Sequence, residues 1–223
     1  NTNKKPLVAG IGGNYTDEIV KQLKSFDFSE IDAVLSVSPY YNKPTQEGIY
    51  QHYMKLADAS PKPIILYNVP GRTGSNMSAD TTLKLSNHPN IIGIKEASAN
   101  FEQCMIILRD KPKDFLVISG DDSITLPFIS LGMNGVISVI ANAFPAKFSN
   151  MVRLALAGNL PDAQKIHFEL LESMIKIFAD GSPGGIKEIM NELGLCETTV
   201  RLPLVNVNAD LAKSLRSIAH KLK

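Results

Sequence analysis

Lys95 stands where a lysine is costly. It follows Ile91, Ile92, Gly93 and Ile94, at the end of an apolar run where burial penalises an ammonium group. Desolvation favours the neutral amine and lowers the lysine pKa, and a neutral amine is what attack on a ketone carbonyl requires. A strand-end lysine can instead reach solvent or pair with Glu96, and these residues by themselves leave both readings open. Tyr67 carries a phenol that can donate and accept a hydrogen bond, so it could relay protons; an aromatic ring filling the core is the plainer role. Arg72 lies in the loop Pro70-Gly71-Arg72-Thr73-Gly74. Its planar fork could grip a carboxylate through two parallel hydrogen bonds, although most loop arginines are simply solvated. Tyr40 and Tyr41, at another strand end, could anchor a loop or meet a second subunit.

Other signals point less far. Gly10-Ile11-Gly12-Gly13 follows a strand but lacks the full spacing of a dinucleotide-binding turn. The histidines at 52, 88, 167 and 220 are scattered, without the spacing of metal ligands, so no metal is expected. Asp121-Asp122 is accounted for by capping of the helix that follows.

These residues need a frame to bring them together. Short β-branched runs alternate with amphipathic stretches along the chain. Strands are predicted at 6–10, 33–37, 63–69, 91–95, 115–119 and 135–140, and helices at 16–25, 46–59, 78–86, from about 100, at 123–131 and at 145–157. Thr16 is the expected N-cap of the first helix. Three more helices, near 161–179, 185–193 and 209–222, have no strands between them. Alternation of this kind implies parallel strands with right-handed helical crossovers. The near-continuous apolar strands fit a sheet covered on both faces. Periodicity leaves an open doubly wound sheet and a closed (β/α)₈ barrel both standing. In either, ligands bind at the carboxyl ends of the strands. Polar residues interrupt the apolar runs there: Tyr67-Asn68, Lys95-Glu96, Gly120-Asp121-Asp122 and Ser138, which would converge on one site.

Composition narrows the function class. The chain has 223 residues, 44% apolar and 20% charged, with a net charge of +1. A near-neutral balance gives no footprint for nucleic acid or an anionic membrane surface. No apolar run approaches the ~20 residues that span a bilayer. The polar opening Asn1-Thr2-Asn3-Lys4-Lys5 is unlike a secretory signal, and the absence of an initial Met suggests a processed or truncated product. Cys104 and Cys196 lack CxxC spacing, which fits free thiols in a reducing cytoplasm.

Five ordered segments carry a family resemblance: Ser38-Pro39-Tyr40-Tyr41-Asn42-Lys43-Pro44, Tyr67-Asn68-Val69-Pro70-Gly71-Arg72-Thr73-Gly74, Gly93-Ile94-Lys95-Glu96-Ala97, Ser119-Gly120-Asp121-Asp122 and Gly135-Val136-Ile137-Ser138-Val139. In this order they resemble the dihydrodipicolinate synthase family, class I pyruvate aldolases, over essentially the whole chain. The resemblance implies an α/β fold, a TIM (β/α)₈ barrel with a C-terminal helical extension. Residues 1–158 would form strands three to eight of the barrel and residues 159–223 the helical region. It also implies a Schiff-base lyase of lysine and diaminopimelate biosynthesis, joining pyruvate to aspartate 4-semialdehyde without a cofactor, in a cytoplasmic homotetramer. By the same resemblance Lys95 matches the Schiff-base lysine, Tyr67 the proton-shuttling tyrosine, and Tyr41 a second relay tyrosine that reaches a neighbouring subunit's site. Arg72 matches the arginine that holds the aldehyde substrate's carboxylate. Gly120 and Ile137 match residues lining the pyruvate pocket, and Asn14, Glu18 and Tyr40 match part of the allosteric lysine site of many bacterial members.

Two departures accompany the match. The family's first two β/α units, with their G-T-T-G-E loop, have no counterpart here. Gly181-Ser182-Pro183-Gly184-Gly185-Ile186-Lys187 replaces a frequent N-P-x-x-x-K pattern. A sister aldolase, of the N-acetylneuraminate lyase or keto-deoxy-sugar-acid type, is the nearest alternative activity, and Arg72 is the residue that separates it. A catalytically inert fragment or binding protein is the alternative of another class.

Overall fold

Ile19 and Leu23, one helical turn apart, are both buried, and the stretch around them forms α1 (Thr16–Ser25) in the computed structural model, which describes residues 5–223. The polar residues 1–4 at the head of the chain lie outside the described residues. By its internal packing the chain divides into two compact units. The first runs through Gly120 and includes Leu131–Asn134; the second comprises Asp121–Ser130 and Gly135–Lys223.

The first unit holds five parallel strands in sequence order: β1 (Val8–Gly10), β2 (Ala33–Val37), β3 (Ile64–Asn68), β4 (Ile91–Glu96) and β5 (Leu116–Ser119). Between them come α1, α2 (Gln46–Ala59), a four-residue helix α3 (Pro70–Thr73), α4 (Ala79–Leu85) and α5 (Phe101–Asp110). Strand side chains alternate between faces, and here the two rows differ sharply. Val34, Ser36, Leu66, Asn68, Ile94, Glu96, Val117 and Ser119 are buried, whereas Val37, Tyr67, Lys95 and Ile118 are half-buried. Register aligns this second row side by side: Val37 with Tyr67, Tyr67 with Lys95, and Lys95 with Ile118.

Side-chain caps set the starts of α2, α4 and α5. Thr45 accepts from Gly48 N–H, Ser78 from Thr81 N–H and Asn100 from Gln103 N–H, satisfying donors a helix start leaves unpaired. Thr16 departs from its expected role. Tyr15 occupies the N-cap position with no side-chain cap, and Thr16 Oγ1 lies 2.9 Å from His52 Nδ1 on α2. That contact ties α1 to α2 and leaves His52 buried with Nε2 unpartnered.

Burial lowers the His52 pKa to about 4. The sign follows from linkage: below about pH 6.5 the unfolded chain takes up a proton that the folded chain refuses, so stability falls as pH drops from there to about 4. The full effect corresponds to about 3 kcal/mol. Thermal unfolding midpoints measured between pH 7 and 4.5 should therefore fall less steeply in His52→Gln than in the unsubstituted chain. Parallel curves would show that His52 does not carry the effect.

The second unit contains β6 (Gly135–Val136), α6 (Thr125–Ser130), α7 (Pro145–Leu156), α8 (Leu160–Lys176), α9 (Gly184–Glu192) and α10 (Ala209–Leu222). Phe148, Met151, Leu170, Met174, Ile189, Leu215 and Ala219 form its apolar core. The predicted strand at 135–140 proves to be two residues long. The Asp122 carboxylate accepts from the N–H groups of Val139 (3.0 Å) and Ile140 (2.7 Å). Donors spent on a carboxylate are not free for a strand ladder, so the chain turns into a 3-10 helix at Ile140–Asn142. Ser138 therefore lies past the strand, where its Oγ accepts from Ala141 N–H at 3.0 Å. Among the described residues no helix is long and apolar enough to cross a membrane.

Candidate active site

Tyr67 and Lys95 sit at the carboxyl ends of neighbouring parallel strands, directly paired in register. Their side chains meet on the half-buried face, with Lys95 Nζ 4.2 Å from the centroid of the Tyr67 ring. A cation or amine over a tyrosine face is attracted by the ring's negative quadrupole. Burial raises the Tyr67 pKa, and the Arg72 charge opposes that rise. The phenol thus keeps its proton at neutral pH while a positive charge stands close enough to stabilise its loss.

Gly120 completes the approach to Lys95. A Cβ at this position would lie 2.7 Å from Ala97 Cβ, 3.0 Å from Lys95 Cε and 3.2 Å from Lys95 Cγ. The lysine stem passes through the space that the missing side chain leaves. The backbone there is secured by Gly120 N–H donating to the Glu96 carbonyl at 2.8 Å.

Arg72 rides on α3, an element that its four-residue length hid from periodicity. Pro70 starts this single turn and Gly74, at φ 73°, ends it, the arrangement that proline and glycine favour at helix ends. Thr73 Oγ1 donates to the Ser75 carbonyl at 2.7 Å. That bond ties the turn to the residue after Gly74, while Arg72 itself is exposed. The loop after β2 adjoins it, since Lys43 Cε would lie 3.0 Å from a Cβ on Gly74.

Tyr41 is not gathered into this group. It has φ 71° and is 87% exposed. A tyrosine in the left-handed region is strained, and this one is held out into solvent. Tyr40 is also exposed, and Asn42 Nδ2 donates to the Asn14 carbonyl at 2.9 Å, so the segments of Asn14 and Tyr40 adjoin. Glu18 lies exposed in the first turn of α1. Ile137 belongs to the second unit, half-buried just past β6. In that unit Asp121 caps a 3-10 turn at Asp122–Ile124, accepting from Ser123 N–H at 3.0 Å, as its position before a helix suggested. Asp122 is buried, and desolvation raises its pKa against the opposing pull of Ser138, Ile140 and Val139.

The cluster that sequence reasoning missed is polar and lies on the opposite face. Glu96 follows Lys95 and so points the other way, into hydrogen bonds with Asn68, Ser98 and Gln103. Strict alternation applied to Tyr67-Asn68 and Lys95-Glu96 would have separated the two faces. Cys104 is buried near it, and its thiol is pushed up to about 12 by burial and then by the Glu96 charge. Both cysteines are free. Among the described residues no group of three or more His, Cys, Asp or Glu side chains is placed to hold a metal ion.

Known proteins resemble this chain along nearly all of its length. The model of the dihydrodipicolinate synthetase family matches residues 2–222. The 4-hydroxy-tetrahydrodipicolinate synthase of Flavobacterium psychrophilum is 58% identical over 216 residues, covering 96% of this chain and 74% of the relative. That of Parabacteroides distasonis is 52% identical, covering 97% and 73%. Among solved structures, the chloride-inhibited dihydrodipicolinate synthase of Acinetobacter baumannii complexed with pyruvate superposes with a TM-score of 0.95 at 37% identity, covering 99% of this chain and 76% of that one. The Aquifex aeolicus dihydrodipicolinate synthase superposes equally well, with a TM-score of 0.95 at 38% identity and coverage of 99% and 75%.

Proposed function

Because this chain belongs to the dihydrodipicolinate synthetase family, we propose that it condenses pyruvate with aspartate 4-semialdehyde through a Schiff base on Lys95. The observation that carries this reading is the Lys95–Tyr67 pair, an amine 4.2 Å from a phenol ring at two in-register strand ends.

Lys95 Nζ attacks the ketone carbon of pyruvate, and loss of water leaves an imine. The imine draws electrons from the adjacent methyl group, which gives up a proton and becomes the nucleophilic carbon of an enamine. Tyr67, whose phenol burial keeps protonated, passes protons at these steps together with Tyr41. The enamine carbon adds to the aldehyde of aspartate 4-semialdehyde, whose carboxylate Arg72 holds. The amine of the bound product then displaces Lys95, closing the ring of 4-hydroxy-tetrahydrodipicolinate and releasing the enzyme. Gly120, beside the Lys95 stem, lines the pyruvate pocket.

Tyr41 serves a second subunit in this proposal, and its 87% exposure supports that. Phe168, Ile175 and Phe178 add an exposed apolar stripe on and just beyond α8, which supports a homotetramer. Asn14, Glu18 and Tyr40 belong to an allosteric lysine site. Strands β1–β6 stand for strands three to eight of a (β/α)₈ barrel within residues 1–158, with 159–223 as the helical region. Two free thiols suit a reducing cytoplasm.

Incubation with pyruvate and borohydride tests the reading. Intact-mass spectrometry should show one reduced pyruvyl group per chain, mapped by peptide digestion to Lys95. A folded sample that gains no mass at saturating pyruvate, or gains it on another lysine, would overturn the proposal.

A further inference from the structure

The face of β3 and β4 turned away from Lys95 and Tyr67 carries a closed cluster of amides around one carboxylate. Asn68 is 0% and Glu96 1% exposed. Asn68 Nδ2 donates to both Glu96 oxygens, at 3.2 and 3.1 Å, and to Asn76 Oδ1 at 2.8 Å. Gln103 Nε2 donates to Glu96 Oε2 at 3.0 Å and to the Met77 carbonyl at 3.1 Å. Ser98 N–H donates to Glu96 Oε1 at 2.7 Å.

Neither amide can turn over. Asn68 Oδ1 already accepts from Met77 N–H at 3.0 Å, and Gln103 Oε1 accepts from Asn76 Nδ2 at 2.7 Å. Both NH₂ groups are therefore committed toward Glu96, and only an acceptor of Glu96's shape and capacity satisfies them. Burying a carboxylate is expensive, and an apolar pair would hold two strands together as well. The cost has a use in the register. Asn68 pairs with Glu96 one step beyond the pairing of Tyr67 with Lys95, so the bonds behind the sheet fix the separation of the two reactive groups in front of it. Asn68's carbonyl also accepts from Ala97 N–H at 2.9 Å, and Glu96's from Gly120 N–H at 2.8 Å, extending the same hold to the glycine beside the lysine stem.

We infer that Glu96, with Asn68 and Gln103, is a positioning residue that sets the geometry of Lys95 against Tyr67. The inference rests on the proposed Schiff-base role of Lys95. A displacement of about 1 Å at a reacting centre can cost about 100-fold in rate, so loss of the cluster's complementarity is expected to slow Lys95 at least tenfold.

Glu96→Gln tests this, because it places an amide NH₂ where two others already point. Gln103→Met is a second variant, which withdraws one donor and leaves the Glu96 carboxylate to Asn68 and Ser98 N–H. Two readouts are taken on each folded variant: the rate of reductive trapping of pyruvate, and the pH profile of Lys95 acetylation by acetic anhydride, resolved by peptide mass spectrometry against Lys62 and Lys84. The expected result is trapping slowed at least tenfold and a shifted Lys95 profile in Glu96→Gln, with smaller changes in the same direction in Gln103→Met and with Lys62 and Lys84 unchanged throughout. Unchanged trapping and an unchanged Lys95 profile in Glu96→Gln would overturn the inference. So would a folded Gln103→Met variant whose trapping rate and Lys95 profile both match the unsubstituted chain. If the unsubstituted chain traps no pyruvate, the Schiff-base reading fails on its own, and the acetylation profile still decides whether Glu96 positions Lys95.

Discussion

Replacing Lys95 with alanine is expected to abolish reductive trapping of pyruvate while leaving the sheet folded. The amine is the nucleophile of the proposed reaction, and a bound nucleophile has an effective concentration that free amines in solution do not approach. Its removal should cost on the order of 10⁵-fold or more, below detection in a trapping assay. The structural cost is small by comparison. Lys95 is half-buried on β4, and its packing on Tyr67 contributes about 1 kcal/mol. Circular dichroism should be unchanged and the unfolding midpoint lowered by only a few degrees. Lys95→Arg sharpens the result. It keeps a positive charge over the Tyr67 ring, but a guanidinium stays protonated and is no nucleophile, so this variant should be equally inert. Trapping by Lys95→Arg would mean that another lysine forms the adduct.

Gly120→Ala should slow trapping by about 10- to 100-fold at saturating pyruvate, the scale set by sub-ångström to 1 Å displacement at a reacting centre. The added Cβ would sit 2.7 Å from Ala97 Cβ and 3.0 Å from Lys95 Cε. The lysine stem is flexible and can move aside, but Ala97 Cβ is fixed to its backbone. Relief must therefore come through movement of β4's end, of β5's end, or of the lysine itself. Each of these changes where the amine stands relative to Tyr67. Gly10→Ala is the control, since a Cβ there meets nothing within 4 Å. Measured side by side, the two variants separate a local effect on Lys95 from the general cost of replacing a glycine. A Gly120→Ala enzyme that traps pyruvate at the unsubstituted rate would show that the close approach has no bearing on reactivity.

Much of the frame is legible because it depends on local periodicity. Ile19 and Leu23 fall at helical spacing, and α1 spans Thr16–Ser25 as that spacing predicts. The apolar runs at 33–37 and 91–95 become β2 and β4 with little change of boundary. Where a distant group competes for the backbone, local pattern fails. Gly135 to Ile140 reads as a strand, but the Asp122 carboxylate takes the N–H groups of Val139 and Ile140 and ends it early. Thr16 reads as a cap, but His52 on α2 engages its hydroxyl. The four residues of α3 are too few to show a period at all.

The site divides along the same line. An amino-acid order alone determines that Lys95 ends an apolar run, that Tyr67 and Arg72 follow another in close succession, and that the five motifs occur in the order of one family. These are properties of neighbours along the chain, where strand alternation and side-chain chemistry act without reference to the rest of the molecule. Only tertiary structure decided that Tyr67 pairs with Lys95, and that Gly120 makes room for the lysine stem. It likewise decided that Glu96 faces away into amides from Asn68 and Gln103, residues 28 and 7 positions distant. Those facts depend on inter-strand register, and register is set by the summed packing of whole strands and helices, to which no single short segment holds the key.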